Sequence, residues 1–159
     1  MCEQPGRLAD WVEEIMQRHK DRVLRTAIAI MGNMADAEDV FQDAFLQLFV
    51  KQPQLSSPEH EAAWLVRVTA NLCKSRLRSY RRRPVQPLLE THPAQTGEQH
   101  DLAEIIAALP PKYKLAIHLF YYEGYSIQEI AEMTGQKYST VGNHLSRARV
   151  MLKKFLEDG

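Results

Sequence analysis

The sequence predicts an all-α protein of two small helical domains joined by a flexible linker, and three observations support that fold class. Apolar residues recur at helical spacing in both halves of the 159-residue chain. No segment alternates apolar and polar residues in the manner of a half-buried β-strand. Three prolines and a polar run separate the two sets of helices. We therefore expect domains at residues 1–83 and 100–159, with the linker at residues 84–99.

Two helices are expected at the start of the first domain. The first covers about residues 8–31, and Gly32 and Asn33 end it because both residue types favour turns. Asp36 is expected to cap the second helix. That helix has an apolar stripe with the helical period, formed by Ala37, Val40, Phe41, Ala44, Phe45 and Leu48.

A third helix, predicted over residues 58–82, has the most uneven charge of the chain. Residues 64–83 contain seven basic residues and no acidic residue. One face of this helix is apolar and should pack on the core. The opposite face, called the cationic face below, has polar residues at steps of four and three: Arg67, Asn71, Lys74, Arg78 and Arg81. Such a face suits the phosphate backbone of nucleic acid, and a solvated charged surface is the alternative.

Charge is segregated along a chain whose total charge is zero, with 20 basic and 20 acidic residues. The net charge is −5 over residues 1–66, +7 over 67–83, −4 over 84–109 and +2 over 110–159. Segregation of this kind indicates more than one kind of partner surface. The basic segment would contact nucleic acid, and the acidic N-terminal portion would contact a basic partner or serve solubility.

Composition argues against several classes of protein. The chain has no stretch of about 18 apolar residues and no signal-peptide core, so we expect a cytoplasmic protein. Cys2 and Cys73 are too few for a disulfide framework or a cysteine metal site, and both should be free thiols. The six histidines have no ligand spacing, and the chain has no nucleophile motif or phosphate-binding glycine loop. We therefore expect no metal, no cofactor and no enzymatic activity.

The second domain should begin with two short helices, at about residues 102–109 and 113–122. A helix-turn-helix pattern follows them. Ser126 caps the first helix of this motif, and Glu129 completes a capping box three residues later. Gly135 supplies the tight turn.

The second helix of the motif is expected to be capped by Ser139 and to carry the side chains that contact DNA. Four positions on its polar side could reach base edges in a major groove: Thr140, Asn143, His144 and Arg147. Four others could hold phosphates: Lys137, Tyr138, Ser139 and Arg149. An ordinary helical hairpin with an inert polar face is the alternative.

Together these segments resemble a bacterial RNA polymerase sigma factor of the extracytoplasmic-function (ECF) type. Residues 37–49 are similar to the helix by which sigma factors bind the clamp helices of polymerase. Residues 62–83 resemble the helix that melts and reads the −10 promoter element, and residues 109–135 and 139–156 resemble the domain that binds the −35 element. The resemblance covers nearly all of the chain outside the linker, and it implies a region 2-like and a region 4-like domain with no helical domain between them.

The resemblance implies a protein that binds core RNA polymerase and promoter DNA and is controlled by an anti-sigma factor. Polymerase would bind the side of the second helix that faces away from its apolar stripe: Asp39, Gln42, Asp43 and Leu46. That side is acidic around one leucine, a composition typical of a docking surface with an apolar anchor. An incidental acidic surface is the alternative.

For the −10 element, the family flips a base of the non-template strand, and the cationic face would hold that strand. Asn71 matches a position that the family uses near these bases, and Ser75 stands where another polar reader can occur. The loop of residues 52–60 would form the wall of the base pocket. Trp64 should pack in the core rather than stack on a base.

The start of the second helix of the helix-turn-helix departs from the family. Where the family often has a lysine and an arginine, in a pattern like TVKSRL, residues 140–145 read TVGNHL. Gly142 weakens a helix by about 1 kcal/mol relative to alanine, and the missing cations should weaken binding to the −35 element. Two alternatives stay open: a sigma mimic that sequesters an anti-sigma factor, and a stand-alone helix-turn-helix repressor.

Overall fold

The computed structural model describes residues 5–82 and 102–158, and every regular element in these two ranges is helical. The all-α fold class and the two helical units are confirmed, whereas the predicted linker lies outside the described residues. Within the described ranges, no helix has the length and apolar character needed to cross a membrane. The elements are α1 (Pro5–Met31), α2 (Met34–Lys51), α3 (Pro58–Arg82), α4 (Leu102–Ala107), α5 (Pro111–Ile117), a π-helical turn (His118–Tyr122), α6 (Ile127–Thr134) and α7 (Tyr138–Asp158).

The corner between α1 and α2 shows a cap that differs from the predicted one. Gly32 has a φ of +85° and ends α1, as expected. The N-cap of α2 is Asn33, not Asp36: the side-chain oxygen of Asn33 accepts a hydrogen bond from the Asp36 amide at 2.8 Å. The Asn33 side-chain amide donates in return to the Asp36 carboxylate at 2.9 Å. Because Gly32 reverses the chain, the helix begins early enough to place Asp36 in its first turn.

Helix α3 is packed on more than one side. Its limits, Pro58 and Arg82, are those predicted from the sequence. Its predicted apolar face packs on α1 and α2, and Trp64 lies half-buried against this core rather than free for stacking. A second row, adjacent to the cationic face, is also buried: Val66, Ala70 and Cys73.

A buried carboxylate joins α3 to α1. Glu61 accepts two hydrogen bonds from the Arg18 guanidinium, each at 3.0 Å, and lies 2.9 Å from Nε2 of His19. Burial alone would raise the pKa of the Glu61 carboxyl, but the bonds from Arg18 and His19 outweigh that effect and lower it. The start of α3, and with it the position of the cationic face, is therefore fixed relative to α1.

The second domain contains the predicted helix-turn-helix, with two differences before and within it. The predicted helix at residues 113–122 is an α-helix only to Ile117, and the chain continues as the π-helical turn. Ser126 and Glu129 form the predicted capping box, and Gly135 ends α6 with a φ of +70°. Ser139 does not cap α7, because that helix has already begun at Tyr138.

Replacing Gly142 by alanine is expected to raise the free energy of unfolding by about 0.5 to 1 kcal/mol. Gly142 lies inside α7, and a Cβ placed there would meet no atom within 4 Å. The melting temperature, followed by circular dichroism, should rise by about 1 to 4 °C. Gly135→Ala is the matched control and should lower stability, since its positive φ and the Arg67 guanidinium 2.9 Å from the new Cβ both oppose a side chain. Similar melting of the two variants would contradict this account.

Candidate nucleic-acid and protein interfaces

The cationic face of α3 is accessible along its described length. Its members Arg67, Asn71, Lys74 and Arg78 are all exposed, and Ser75 is exposed beside them. The backbone of Arg81 continues the helix, but its side chain lies outside the described part of the molecule. The buried residues of α3 occupy the other sides of the helix, so the cations point away from the core.

The helix-turn-helix domain lies against one edge of the cationic face. The guanidinium of Arg67 packs on the backbone of Gly135, the glycine of the motif's turn. Farther along α3, Lys74 lines a small cleft together with Lys112 and Gln136. The two segments predicted to contact DNA are therefore neighbours in this arrangement.

Arg76 is the basic residue of α3 whose role the sequence did not reveal. It lies off the cationic face, and its guanidinium turns towards α2, 3.7 Å from the Asp39 carboxylate and 3.5 Å from that of Asp43. Its spacing in the sequence could have revealed this position. Arg76 follows Leu72 by one helical turn, so both residues lie on the packed side of α3. One cation of the basic segment thus compensates part of the acidic surface of α2.

The predicted docking surface on α2 is present and is more apolar than expected. Asp39, Gln42 and Leu46 are exposed, and Asp43 is partly exposed. Leu46 is 59% exposed, and the same side of the helix carries two further apolar residues, Phe49 at 43% and Val50 at 66%. We call these six residues the α2 docking surface. Phe49 and Val50 were not among the residues predicted for this surface.

The helix-turn-helix presents most of its predicted DNA-contacting residues on one side of α7. Asn143 and Arg147 are exposed, and Thr140 and His144 are partly exposed next to them. Burial, and then the nearby cations Lys112, Lys74 and Arg147, lower the pKa of His144. The imidazole is therefore neutral near pH 7 and available as a hydrogen-bond donor or acceptor. Lys137 and Ser139 are exposed where the helix begins.

Arg149 is the member of the predicted set that the structure does not bring to this side. It lies about half a turn around α7 from Thr140. Its Nε donates a hydrogen bond to the Tyr121 hydroxyl at 2.8 Å, and its guanidinium lies over the rings of Phe120 and Tyr121. Arg149 thus packs on the π-helical turn.

The described residues contain no group of histidine, cysteine or acidic side chains arranged to hold a metal ion. Cys73 is a free, buried thiol, and burial raises its pKa to about 12. A thiol with that pKa is almost entirely protonated at neutral pH and is a poor nucleophile. Cys2 lies outside the described residues.

Comparison with known proteins gives the family. The model of Sigma-70 region 2 matches residues 15–83, and the model of Sigma-70, region 4 matches residues 99–152. The chain is 32% identical over 157 residues to the ECF RNA polymerase sigma factor SigE of Mycolicibacterium smegmatis. It belongs to the ECF sigma factors.

The extent of these similarities differs between relatives. The sigma factor matches 61% of the length of SigE and 38% of the probable RNA polymerase sigma factor RfaY of Xanthomonas campestris, to which it is 31% identical. It therefore spans less than two thirds of these two proteins. In both matches most of the present chain is covered, 91% and 86%. The ECF sigma factor SigW of Bacillus subtilis is 26% identical, with 94% of this chain and 90% of SigW covered.

Two solved structures share the arrangement of helices. The sigma factor RpoE of Bartonella quintana, in complex with the anti-sigma factor NepR, matches with a TM-score of 0.71 and 25% identity over 93% of this chain and 97% of RpoE. CnrH, in complex with the cytosolic domain of CnrY, matches with a TM-score of 0.65 and 21% identity. The second similarity concerns the fold alone.

Proposed function

We propose that this sigma factor is a promoter-specificity subunit: it binds core RNA polymerase, opens the −10 element and binds the −35 element, without catalytic activity of its own. The observation that carries the proposal is the pairing, within one domain, of an exposed cationic face on α3 with an exposed apolar and acidic surface on α2. A domain of this kind can hold a protein on one helix and a nucleic-acid strand on another. Its place of action would be the cytoplasm, where polymerase and chromosome meet.

Polymerase binding is assigned to the α2 docking surface. Its three apolar side chains are exposed and lie within an acidic surround, the composition of an interface with a buried centre and a charged rim. The rim would steer the protein towards a basic partner surface, and the apolar centre would supply most of the binding free energy.

Strand binding is assigned to the cationic face. Unpairing and flipping a base costs a few kcal/mol, and contacts between cations and the separated strand can return that cost. Arg67, Lys74 and Arg78 supply the charges, while Asn71 and Ser75 supply hydrogen-bonding groups between them. The face is long enough for several nucleotides, because its described members run from Arg67 to Arg78 along the helix, at a rise of about 1.5 Å per residue.

Binding of the −35 element is assigned to α7, with Thr140, Asn143, His144 and Arg147 facing the bases. Lys137 and Ser139 would contact phosphates at the start of the helix. Arg149 contributes to packing in the arrangement described above, so its contact with phosphate requires release from Tyr121.

Control by an anti-sigma factor is part of the proposal. The structural neighbour RpoE was solved in complex with the anti-sigma factor NepR. For this chain, the regulator would cover the α2 docking surface or the cationic face and so block initiation.

The test is transcription reconstituted from purified parts. The sigma factor is added to bacterial core RNA polymerase with promoter templates identified by mapping transcript starts after overexpression. A run-off transcript that requires both proteins is the expected result. A gel shift of duplex promoter DNA by the sigma factor alone, with no association with core polymerase at low salt, would instead indicate a repressor and contradict the proposal.

A sigma mimic is the second candidate function, and one feature favours it. Gly142 and the missing cations near the start of α7 weaken the recognition helix. A mimic need not bind DNA, however, and the exposed cationic face argues against it. Binding to core polymerase with no transcript from any mapped promoter would favour the mimic.

A further inference from the structure

A largely apolar cavity of about 450 Å³ lies between the C-terminal part of α1 and the first helices of the second domain. Its volume is typical of small-molecule sites in proteins. The apolar part of its wall comes from α1, α4, α5 and the π-helical turn: Ile28, Ala29, Ile106, Ala107, Ile117 and Tyr122. A molecule bound here would therefore be surrounded mainly by hydrocarbon.

The charged side chains that line this cavity are all basic, and within the described parts of the chain no acidic side chain lines it. Two of the basic residues are already engaged by Glu123, whose own side chain is 3% exposed. Arg25 donates hydrogen bonds to this carboxylate from Nε and Nη2 at 3.0 and 3.1 Å, and Nε2 of His118 lies 3.0 Å from it. Burial lowers the pKa of His118, so its imidazole is neutral near pH 7.

Lys114 is the third basic residue of the cavity wall, and it has no counter-ion. The residue is 8% exposed, yet its ammonium forms no hydrogen bond or ion pair with any residue in the two described ranges. The thiol of Cys73 acts on it electrostatically, but the pKa of that thiol, about 12, keeps it uncharged at neutral pH. Burial lowers the pKa of the Lys114 ammonium below its ordinary value. Because a buried charge without a partner is unfavourable, an anion at this position would stabilise the ammonium.

We propose that this cavity binds a small apolar carboxylic acid, with its carboxylate on the Lys114 ammonium and its hydrocarbon tail against the isoleucines of α1, α4 and α5. The carboxylate supplies the missing counter-ion, and the tail displaces water from the apolar wall. A neutral molecule of the same shape leaves the ammonium unpaired, and a cationic one is repelled. The site therefore selects anionic amphiphiles. This inference goes beyond the proposed function and does not depend on the assignment of any surface to DNA.

The first experiment compares four ligands by calorimetric titration of the full chain. Octanoate is the probe, used below the concentration at which it forms micelles. Octanol has the same tail without a charge, octyltrimethylammonium has the opposite charge, and acetate has the carboxylate without the tail. Octanoate should bind about tenfold more tightly, or better, than each of the other three, because only it satisfies both the ammonium and the apolar wall. Equal affinity for octanoate and octanol overturns the proposal.

The second experiment changes the charge at the cavity wall. Lys114→Met removes the ammonium and keeps a side chain of similar length, and Lys112→Met is the control at an exposed lysine of the same helix. Lys114→Met should bind octanoate about tenfold more weakly and octanol as tightly as the parent, whereas Lys112→Met should match the parent with both ligands. Lys114→Met should also melt no lower than the parent, because it removes a buried charge that has no partner. Loss of octanoate binding in both variants, or in neither, overturns the proposal.

A third experiment locates the tail without a change at Lys114. Ala107→Trp places a large side chain at the cavity wall, and Ala108→Trp places the same side chain at the next position, which does not line the cavity. Both alanines are exposed, so both variants should fold. Ala107→Trp should weaken octanoate binding about tenfold, because the indole takes the space of the tail, and Ala108→Trp should match the parent. Parent affinity in Ala107→Trp overturns the proposal, since octanoate would then bind elsewhere, for example as an anion on the cationic face. None of these measurements uses polymerase or DNA, so their outcome is separate from that of the transcription test.

Discussion

Replacing Arg78 and Arg81 by glutamate is expected to abolish promoter opening while binding to core polymerase survives. Arg78 is exposed on the cationic face, and Arg81 continues the same helical spacing. Loss of two contacts to the separated strand, at about 1.4 kcal/mol each, weakens strand binding on the order of a hundredfold. Permanganate footprinting of the −10 region measures opening, and co-migration with core polymerase measures binding.

The salt dependence of strand binding gives a second readout for this double variant. Each lost phosphate contact lowers the slope of log affinity against log salt concentration by about 0.7 for a single strand. Arg7 and Lys20 are exposed cations of α1, and their replacement by glutamate makes the same change of net charge away from α3. If the α1 variant loses opening to the same degree, or if the α3 variant loses polymerase as well as DNA, the assignment of separate surfaces is wrong.

Replacing Leu46 by aspartate is expected to weaken binding to core polymerase by about thirtyfold or more. Leu46 lies at the centre of the α2 docking surface, between Gln42 and the apolar pair Phe49 and Val50. A central apolar anchor of an interface is typically worth about 2 kcal/mol or more, and a buried aspartate adds the cost of desolvating its charge. The free protein should melt at nearly the same temperature as the parent, because the side chain is exposed.

Met34→Asp is the control for this measurement. Met34 is also an exposed apolar residue of α2, at the first position of the helix and about 18 Å from Leu46 along its axis. Titration of labelled core polymerase should give the parent affinity for Met34→Asp and the weakened one for Leu46→Asp. Equal affinities for the two variants would place the polymerase contact elsewhere.

Local signals in the sequence were sufficient for most of the helices. Pro58 marks the start of α3, and Ser126, Glu129 and Gly135 limit α6, because each acts on backbone geometry or hydrogen bonds within a few residues. The errors have equally local causes. The cap of α2 was placed at Asp36 because aspartate and asparagine are similar N-caps, and the choice depended on the φ of Gly32. The π-helical turn is only 5 residues long, too short for its spacing to be distinguished in the sequence from that of an α-helix.

The sequence predicted a binding surface only where a single helix forms it. The cationic face follows from periodicity on α3 alone, and its exposure agrees with that periodicity. The pairing of Arg76 with Asp39 and Asp43 depends on how two helices cross, which no single-helix pattern contains. The burial of Val66 and Ala70 was missed for the same reason, since α3 packs there on α6 of the other domain.

The contacts between α2 and α3 determine how the α2 docking surface is oriented relative to the cationic face. Arg76 bridges to Asp39 and Asp43, and the Tyr80 hydroxyl donates to the Asp36 carboxylate at 2.8 Å. These contacts join about two turns of α2 to one turn of α3, in addition to the packing of the two helices on each other. Helices α2 and α3 should consequently move as a rigid unit. A partner that binds α2 therefore also fixes the orientation of α3. The position of a protein bound at the α2 docking surface then determines where a DNA strand on the cationic face must lie.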